Sequence, residues 1–199
     1  ADDDSRNEIA IALTSISKNF TELTDVLMGL TSPKARAGVV LSIGYLINNE
    51  KIIPLMTKFL NDQDPTVRAI AATSLGRLGS LSSRVRFALM EGLKDPNEWV
   101  RSSIIAVFRQ HGDHSLIKMF ISMLANETDE NVCQNLVLAI GCLCDSLNTP
   151  SALSSIKKWM ETSLHEKSQA AGFIALALLK NEKNFQKIYS ATLSKSLHH

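Results

Sequence analysis

His111 and His114 are the first candidates for chemistry in this chain, because two histidines at this spacing on a helix can bind a metal. They stand in the sequence His-Gly-Asp-His, separated by Gly112 and Asp113. These two intervening residues favour a surface turn, and no second His or Cys pair lies at a matching offset. We therefore predict a turn here rather than a metal site.

The three cysteines, Cys133, Cys142 and Cys144, are the next candidates. On one helix, Cys142 and Cys144 would point about 200° apart, and Cys133 would lie about 16 Å from Cys144 along the axis. These separations exclude a disulfide, and the spacing offers no third and fourth metal ligand. Free, core-like thiols are typical of a reducing compartment, so a cytoplasmic protein is predicted.

Motifs for nucleophilic catalysis and phosphate binding are missing. The chain has no Gly-x-Ser-x-Gly elbow, and no cysteine is set up with a histidine and an acid. The segment Gly76–Ser80 (GRLGS) lacks the Gly-Lys-Ser/Thr of a phosphate loop and ends a helical pattern. We predict no catalytic, cofactor-binding or metal-binding residue, and we expect that the chain is not an enzyme.

Composition narrows the class of protein further. The chain has 199 residues, 45% of them hydrophobic, which is enough to bury a sizeable core. Its formal net charge of +1 gives no overall attraction to nucleic acid or to an anionic membrane. No apolar run reaches the roughly 18 to 20 residues that span a bilayer, so membrane insertion is not expected.

The elements that carry these residues form an internal repeat of about 32 or 33 residues. Asp64–Ser80 reads DPTVRAIAATSLGRLGS, and Ser32–Leu46 has Pro, Arg and Ile-Gly in the same order. Further copies begin at Asp95, Asp129 and His165. Each copy follows an amphipathic segment with apolar residues three and four apart, so the unit is helix A, a short turn and helix B.

This unit resembles the HEAT repeat, through Asp64-Pro65, Val67-Arg68, Ala71, Leu75-Gly76 and Leu78. Armadillo and tetratricopeptide repeats fit less well in unit length and residue pattern. The resemblance implies an all-α fold, an α-α superhelix (solenoid) of about five helical hairpins with terminal capping helices. We predict one domain over residues 1–199, with repeats at about 20–49, 50–80, 81–112, 113–146 and 149–181 and capping helices at about 5–17 and 183–197.

A stacked array explains why the helix after Asp64 is apolar around so much of its circumference. Helix B must pack on its own helix A and on both neighbouring B helices. Val67, Ala71 and Leu75 share the face that we expect to meet helix A, whereas Ala72 and Gly76 are small enough for close approach between units.

The resemblance also implies a role for the arginines. In HEAT proteins an Arg at the position of Arg68 typically joins an acidic residue in the A–B turn of a neighbouring unit. The predicted ladder consists of Arg36, Arg68 and Arg101 with acids such as Asp62, Asp64 and Asp95. The fourth and fifth copies have Cys133 and Gln169 at this position, so the ladder is expected to fade toward the C-terminus.

The B helices would line the concave face of such an array, and their outermost rows are small and apolar. Part of these rows must be packing between repeats, and the remainder would form a groove for a partner's helix or peptide. Tyr45, Arg77, Arg109 and Gln110 are the predicted contacts on its polar margin. The sequence thus predicts a non-catalytic scaffold or adaptor with protein partners.

Three alternatives from other classes remain. HEAT-like di-iron hydroxylases use repeated His-Glu pairs, but the one pair here, His165-Glu166, lies at the Asp64-Pro65 position.

HEAT-like DNA glycosylases need a basic, aromatic concave face. Trp99 and Trp159 are expected to be packing anchors, although a basic strip would comprise Arg77, Arg84, Arg86, Arg101 and Arg109. The third alternative is a chaperone-like or lyase-like partner of a chromophore protein.

Overall fold

The computed structural model describes residue 27 and residues 29–46, 53–78, 81–145, 147–163 and 165–179. Within these residues there are nine α-helices, one short 3₁₀ turn and no strand. The chain forms two compact units, Ala1–His111 and Gly112–His199. The predicted capping helices at 5–17 and 183–197 lie outside the described residues, and the single domain over residues 1–199 stays a prediction.

The first unit contains two helical hairpins and one further B helix. Its helices are α1 (Pro33–Leu46), α2 (Ile53–Phe59), α3 (Pro65–Gly76), α4 (Ser83–Gly92) and α5 (Glu98–Gln110). Helix α3 packs on its own A helix, α2, and on both neighbouring B helices, α1 and α5. Helix α4 packs on α5 and α2, so the A helices form a second layer beside the B helices.

The second unit repeats this arrangement. It contains a 3₁₀ turn (His114–Leu116), α6 (Ile117–Leu124), α7 (Glu130–Leu143), α8 (Thr149–Thr162) and α9 (Glu166–Leu178). The B helices α7 and α9 pack on each other, and the A helices α6 and α8 pack on their own B helices and on each other. Within the described residues of each unit, the predicted all-α solenoid of stacked hairpins is therefore confirmed.

The B helices α3, α5 and α7 each begin where a side chain satisfies free N–H groups of the first turn. Asp64 Oδ1 accepts hydrogen bonds from two N–H groups of the first turn of α3, and Pro65 occupies the first helical position, where an N–H is not needed. Asn97 caps α5 and Asp129 caps α7 in the same way. Each cap fixes where a B helix begins after the turn.

Fully buried residues recur at the same positions of successive B helices. Val67, Ala71 and Leu75 of α3 are completely buried, and Val100 and Ile104 occupy the matching face of α5. Because each such side chain removes apolar surface from water, this face supplies most of the attraction between the A and B layers.

Glycines allow the B helices to approach each other closely. A Cβ added to Gly76 would lie 2.5 Å from a methyl carbon of Val107, and one added to Gly44 would overlap the side chain of Ser74. In the second unit, a Cβ on Gly141 would lie 2.7 Å from Cα of Ala175. In the three copies that have it, the glycine of the Leu-Gly or Ile-Gly pair is therefore needed for the close packing of its B helix on the next one.

We predict that Gly141→Ala destabilises the second unit, because the new methyl group meets the backbone of α9, which cannot rotate away. The expected cost in the free energy of unfolding is about 1–3 kcal/mol. It should exceed the gain of up to about 1 kcal/mol in helix propensity. Urea denaturation followed by circular dichroism measures the difference.

Gly92→Ala is the matched control, since its Cβ would meet only the terminal carbon of the Ile104 side chain, at 2.5 Å, with the next atom 3.9 Å away. A small rotation of that side chain relieves the contact. Equal losses for the two variants would contradict the role assigned to Gly141.

Candidate functional site: the arginine position and the exposed face of the B helices

One position of the repeat carries a side-chain donor in all five copies. We call it the arginine position; it is occupied by Arg36, Arg68, Arg101, Cys133 and Gln169. In every copy the side chain donates back to the carbonyl oxygen six residues earlier, across the A–B turn. These contacts are Arg36 Nη1 to Leu30 O (2.7 Å), Arg68 Nη1 to Asp62 O (2.9 Å), Arg101 Nη1 to Asp95 O (2.8 Å), Cys133 Sγ to Glu127 O (3.7 Å) and Gln169 Nε2 to Ser163 O (2.5 Å).

The first two arginines also bind the next repeat. Arg36 donates from Nε and Nη2 to the two carboxylate oxygens of Asp62, each at 2.8 Å. Arg68 donates in the same way to Asp95, at 2.7 and 2.8 Å. A guanidinium has five N–H donors in a fixed fork, so one side chain closes its own turn and holds the following turn at once.

Asp62 and Asp95 each accept a further hydrogen bond, from a backbone N–H of their own A–B turn. Asp62 Oδ1 accepts the N–H of Asp64, and Asp95 Oδ1 accepts the N–H of Asn97, each at 2.9 Å. Burial raises the pKa of Asp62 and of Asp95, but hydrogen bonds from the arginine and from the backbone N–H outweigh it, so both carboxyl groups have a lowered pKa. Both therefore remain ionised at neutral pH.

Asp64 and Arg101, the other two members of the predicted ladder, lie at the starts of B helices and bind groups of their own turns. Among the residues that the structure describes, no ion pair holds Asp64; its carboxylate caps α3. Arg101 closes its own turn through Asp95 O and Pro96 O. The short side chain of Cys133 reaches only its turn carbonyl, and burial raises its pKa to about 11, so this thiol is protonated and unreactive.

A polar cluster that sequence reasoning missed joins the last two repeats. Glu130, in the first turn of α7, accepts hydrogen bonds from the hydroxyls of Ser163 and Ser168. Gln134 Nε2 donates to Ser168 Oγ at 2.9 Å. The Ser163 bond and then the Ser168 bond lower the pKa of Glu130. In this cluster the carboxylate lies in the earlier repeat and its partners in the later one. In the two arginine pairs the carboxylate lies in the later repeat.

The His-Gly-Asp-His segment lies at the end of α5 and the start of the 3₁₀ turn, with Gly112 at φ 67°. His111 Nε2 bonds the Gly76 carbonyl at 2.8 Å, and His114 Nδ1 bonds the Leu143 carbonyl at 2.7 Å. Each imidazole therefore satisfies a carbonyl at the end of a B helix. In the described part of the chain, no group of three or more His, Cys, Asp or Glu residues is placed to hold a metal.

The predicted contact residues of the first unit lie at the C-terminal ends of the B helices. Arg109 is half-buried, and Gln110, the last residue of α5, is exposed. Arg77 follows α3 and is half-buried with its Nη1 atom enclosed. The side chain of Tyr45 lies outside the described residues. One turn earlier, Thr73 is exposed on the same side of α3.

The two tryptophans differ in their surroundings. Trp159 is buried in α8, but Trp99 is 49% exposed in the first turn of α5. The expectation that both are packing anchors is therefore wrong for Trp99. Its backbone N–H binds the capping Asn97 side chain, while its ring remains open to solvent.

A shallow surface cleft of about 440 Å³ lies between the N-terminal turns of α7 and α9. It is lined by Glu130, Asn131, Gln134, His165, Glu166 and Lys167. The cleft is open to solvent and borders the polar cluster of Glu130.

We predict that Asp95→Asn lowers the free energy of unfolding by about 2 kcal/mol or more, because Arg68 then remains partly buried without its counter-charge. Glu91→Gln is the control: Glu91 pairs with Lys94 at 3.1 Å, but both side chains are well exposed, so little change is expected. Urea midpoints of the two variants provide the comparison. Similar shifts would argue against a structural role for the buried pair.

The lowered pKa values of Asp62 and Asp95 predict an acid-sensitive fold. The stability they contribute is fully present above the unfolded-state pKa of about 3.9 and is lost as pH falls through the lower folded-state pKa. Unfolding free energies measured between pH 6 and pH 2 should therefore fall below about pH 4. The slope should be smaller in the double variant Asp62→Asn/Asp95→Asn; an unchanged slope would contradict this assignment.

Comparison with known proteins gives a match to one family model over part of the chain. Residues 20–86 match the family model of HEAT repeats, and this segment contains the first two arginine positions and both hairpin turns around them. A comparison with curated proteins gives no match. Among the described helices, none is long and apolar enough to cross a bilayer. Residues 20–86 are therefore similar to HEAT repeats, and the all-α hairpins and the arginine position continue the same pattern through the described residues that follow.

Proposed function

We propose that the chain is a non-catalytic scaffold or adaptor that binds a helix or peptide of a partner protein on the exposed face of its B helices. HEAT repeats commonly mediate protein–protein interaction. The observation that carries the proposal is the contrast around α3. Three of its sides are used in packing on α1, α2 and α5, whereas the side opposite its A helix keeps the exposed Thr73.

The margin of this face in the first unit has the groups that recognise a peptide. Gln110 is exposed and offers both a donor and an acceptor. Arg109 is half-buried in the position where other repeats have Gly44, Gly76 and Gly141. Arginine beside small, apolar surface is enriched in protein interfaces, because it combines a flat apolar stem with a charged head.

Protein is favoured over nucleic acid as the partner by the way the arginines are used. The guanidinium groups of Arg36 and Arg68 are bound to aspartates, and Arg101 is bound to two carbonyls of its own turn. A duplex-binding face needs several cations directed at phosphates. A cytoplasmic location belongs to this proposal and is supported by the free cysteines.

Affinity capture from native lysate, followed by mass spectrometry, tests the proposal. Arg109→Glu should lower recovery of a specific partner by about tenfold or more, because it reverses the charge of a predicted contact residue. Arg84→Glu is the matched control, because Arg84 is exposed on α4, an A helix. Equal recovery with both variants would contradict the proposed face.

A further inference from the structure

The second unit carries an exposed apolar stripe along its two B helices. Leu138 and Cys142 lie four residues apart on α7, and Ile174 and Leu178 lie four residues apart on α9. Ile174 is 53% exposed and Leu178 is 44% exposed, while Cys142 is exposed and Leu138 half-buried. Because α7 and α9 pack side by side, these four residues form one surface. None of the four carries a charge.

The stripe begins one turn beyond the cleft at the N-terminal ends of the same two helices. Gln134, which lines the cleft, precedes Leu138 by four residues on α7. The charged side chains that line the cleft are Glu130, Glu166 and Lys167. Two carboxylates against one ammonium give this end of the stripe a net negative charge. Glu166 is exposed, and no ion pair within the described residues holds its carboxylate.

The small area of this surface favours a single helix, and not a folded protein, as its binding partner. A stable interface between two folded proteins buries about 800 Å² on each side, which four partly covered side chains do not provide. A single amphipathic helix needs only a few apolar anchors spaced three and four residues apart. The stripe offers two such pairs, Leu138 with Cys142 on α7 and Ile174 with Leu178 on α9.

Charge complementarity indicates which charged residue the bound helix should carry, and where. Glu166 and Ile174 are eight residues apart on α9, which is about 12 Å along the helix axis at 1.5 Å per residue. In a bound helix that runs parallel or antiparallel to α9, a lysine or arginine would reach Glu166 if it lay about eight positions from the apolar residue that contacts Ile174.

We propose that this surface, the apolar stripe and the acidic cleft together, binds an amphipathic helix of a partner protein that carries a basic residue about two turns from its apolar anchors. The proposal rests on the proposed function at one point only: both take the exposed face of the B helices as the binding surface. Its residues lie in the second unit and are separate from Arg109 and Gln110.

Two fluorescein-labelled synthetic helical peptides test the proposal with the full chain. Both carry leucines at positions i, i+3, i+4 and i+7; one has lysine, and the other glutamate, at position i−8, so that the leucines lie over the stripe when this residue reaches Glu166. Fluorescence anisotropy should show the lysine peptide binding at least about tenfold more tightly. Glu166→Gln should reduce that preference to less than about threefold without abolishing binding.

Ile174→Asp should weaken binding of the lysine peptide by at least about tenfold, since it places a charge within the stripe. Phe87→Asp is the matched control, because Phe87 is 67% exposed on α4 of the first unit, and it should bind like the unchanged chain. Thermal melts of all variants establish that they are folded.

Four results would overturn the proposal: no binding of either peptide, equal affinity for both peptides, equal loss with Phe87→Asp and Ile174→Asp, or a dimer in light scattering that Ile174→Asp dissociates. The last result would assign the stripe to a second copy of the chain. The lysate capture is read on Arg109→Glu and this inference on Glu166→Gln and Ile174→Asp, with Arg84→Glu as a control that should leave peptide binding unchanged. Failure of the lysate capture and failure of this inference are therefore distinguishable.

Discussion

A side chain at one position of each repeat reaches back to the carbonyl six residues earlier, and the geometry of the hairpins depends on this bond. The end of an A helix leaves backbone carbonyls without partners, and the chain must then turn sharply into a B helix. A donor from the first turns of the B helix satisfies one of these carbonyls and ties the two helices together. Arginine, cysteine and glutamine all supply such a donor. Arginine also has donors left over for the next repeat.

Packing between B helices is governed by shape as well as by these polar bonds. Gly44, Gly76 and Gly141 leave room for the side chain or backbone of the following B helix, so successive B helices lie close together. In α3, close approach on two sides and the A helix on the third leave one side uncovered. The surfaces proposed for partners are these uncovered sides, and they follow from the way the repeat is packed.

The architecture could be predicted from sequence because its signal repeats. Pro65 and Arg68 recur at intervals of 31 to 33 residues in the first three copies and Gly76 has counterparts in two other copies, and each has a local physical reason to occupy its place. The cluster of Glu130, Ser163 and Ser168 could not be predicted in this way. It occurs once, joins residues more than 30 positions apart, and uses residue types that are common on any helix. The exposure of Trp99 was missed for a related reason, since its turn position does not say which side of the ring is covered.

Native-state hydrogen exchange in an Arg68→Met variant tests most directly whether the arginine position couples one repeat to the next. The amides to follow are those of Asp64 and Asn97, which donate to the two aspartates held by Arg36 and Arg68. The account predicts faster exchange at Asn97, 29 residues away in the next turn, together with loosening of the A–B turn that contains Asp64. Faster exchange confined to the turn of Asp64, with Asn97 unchanged, would contradict it.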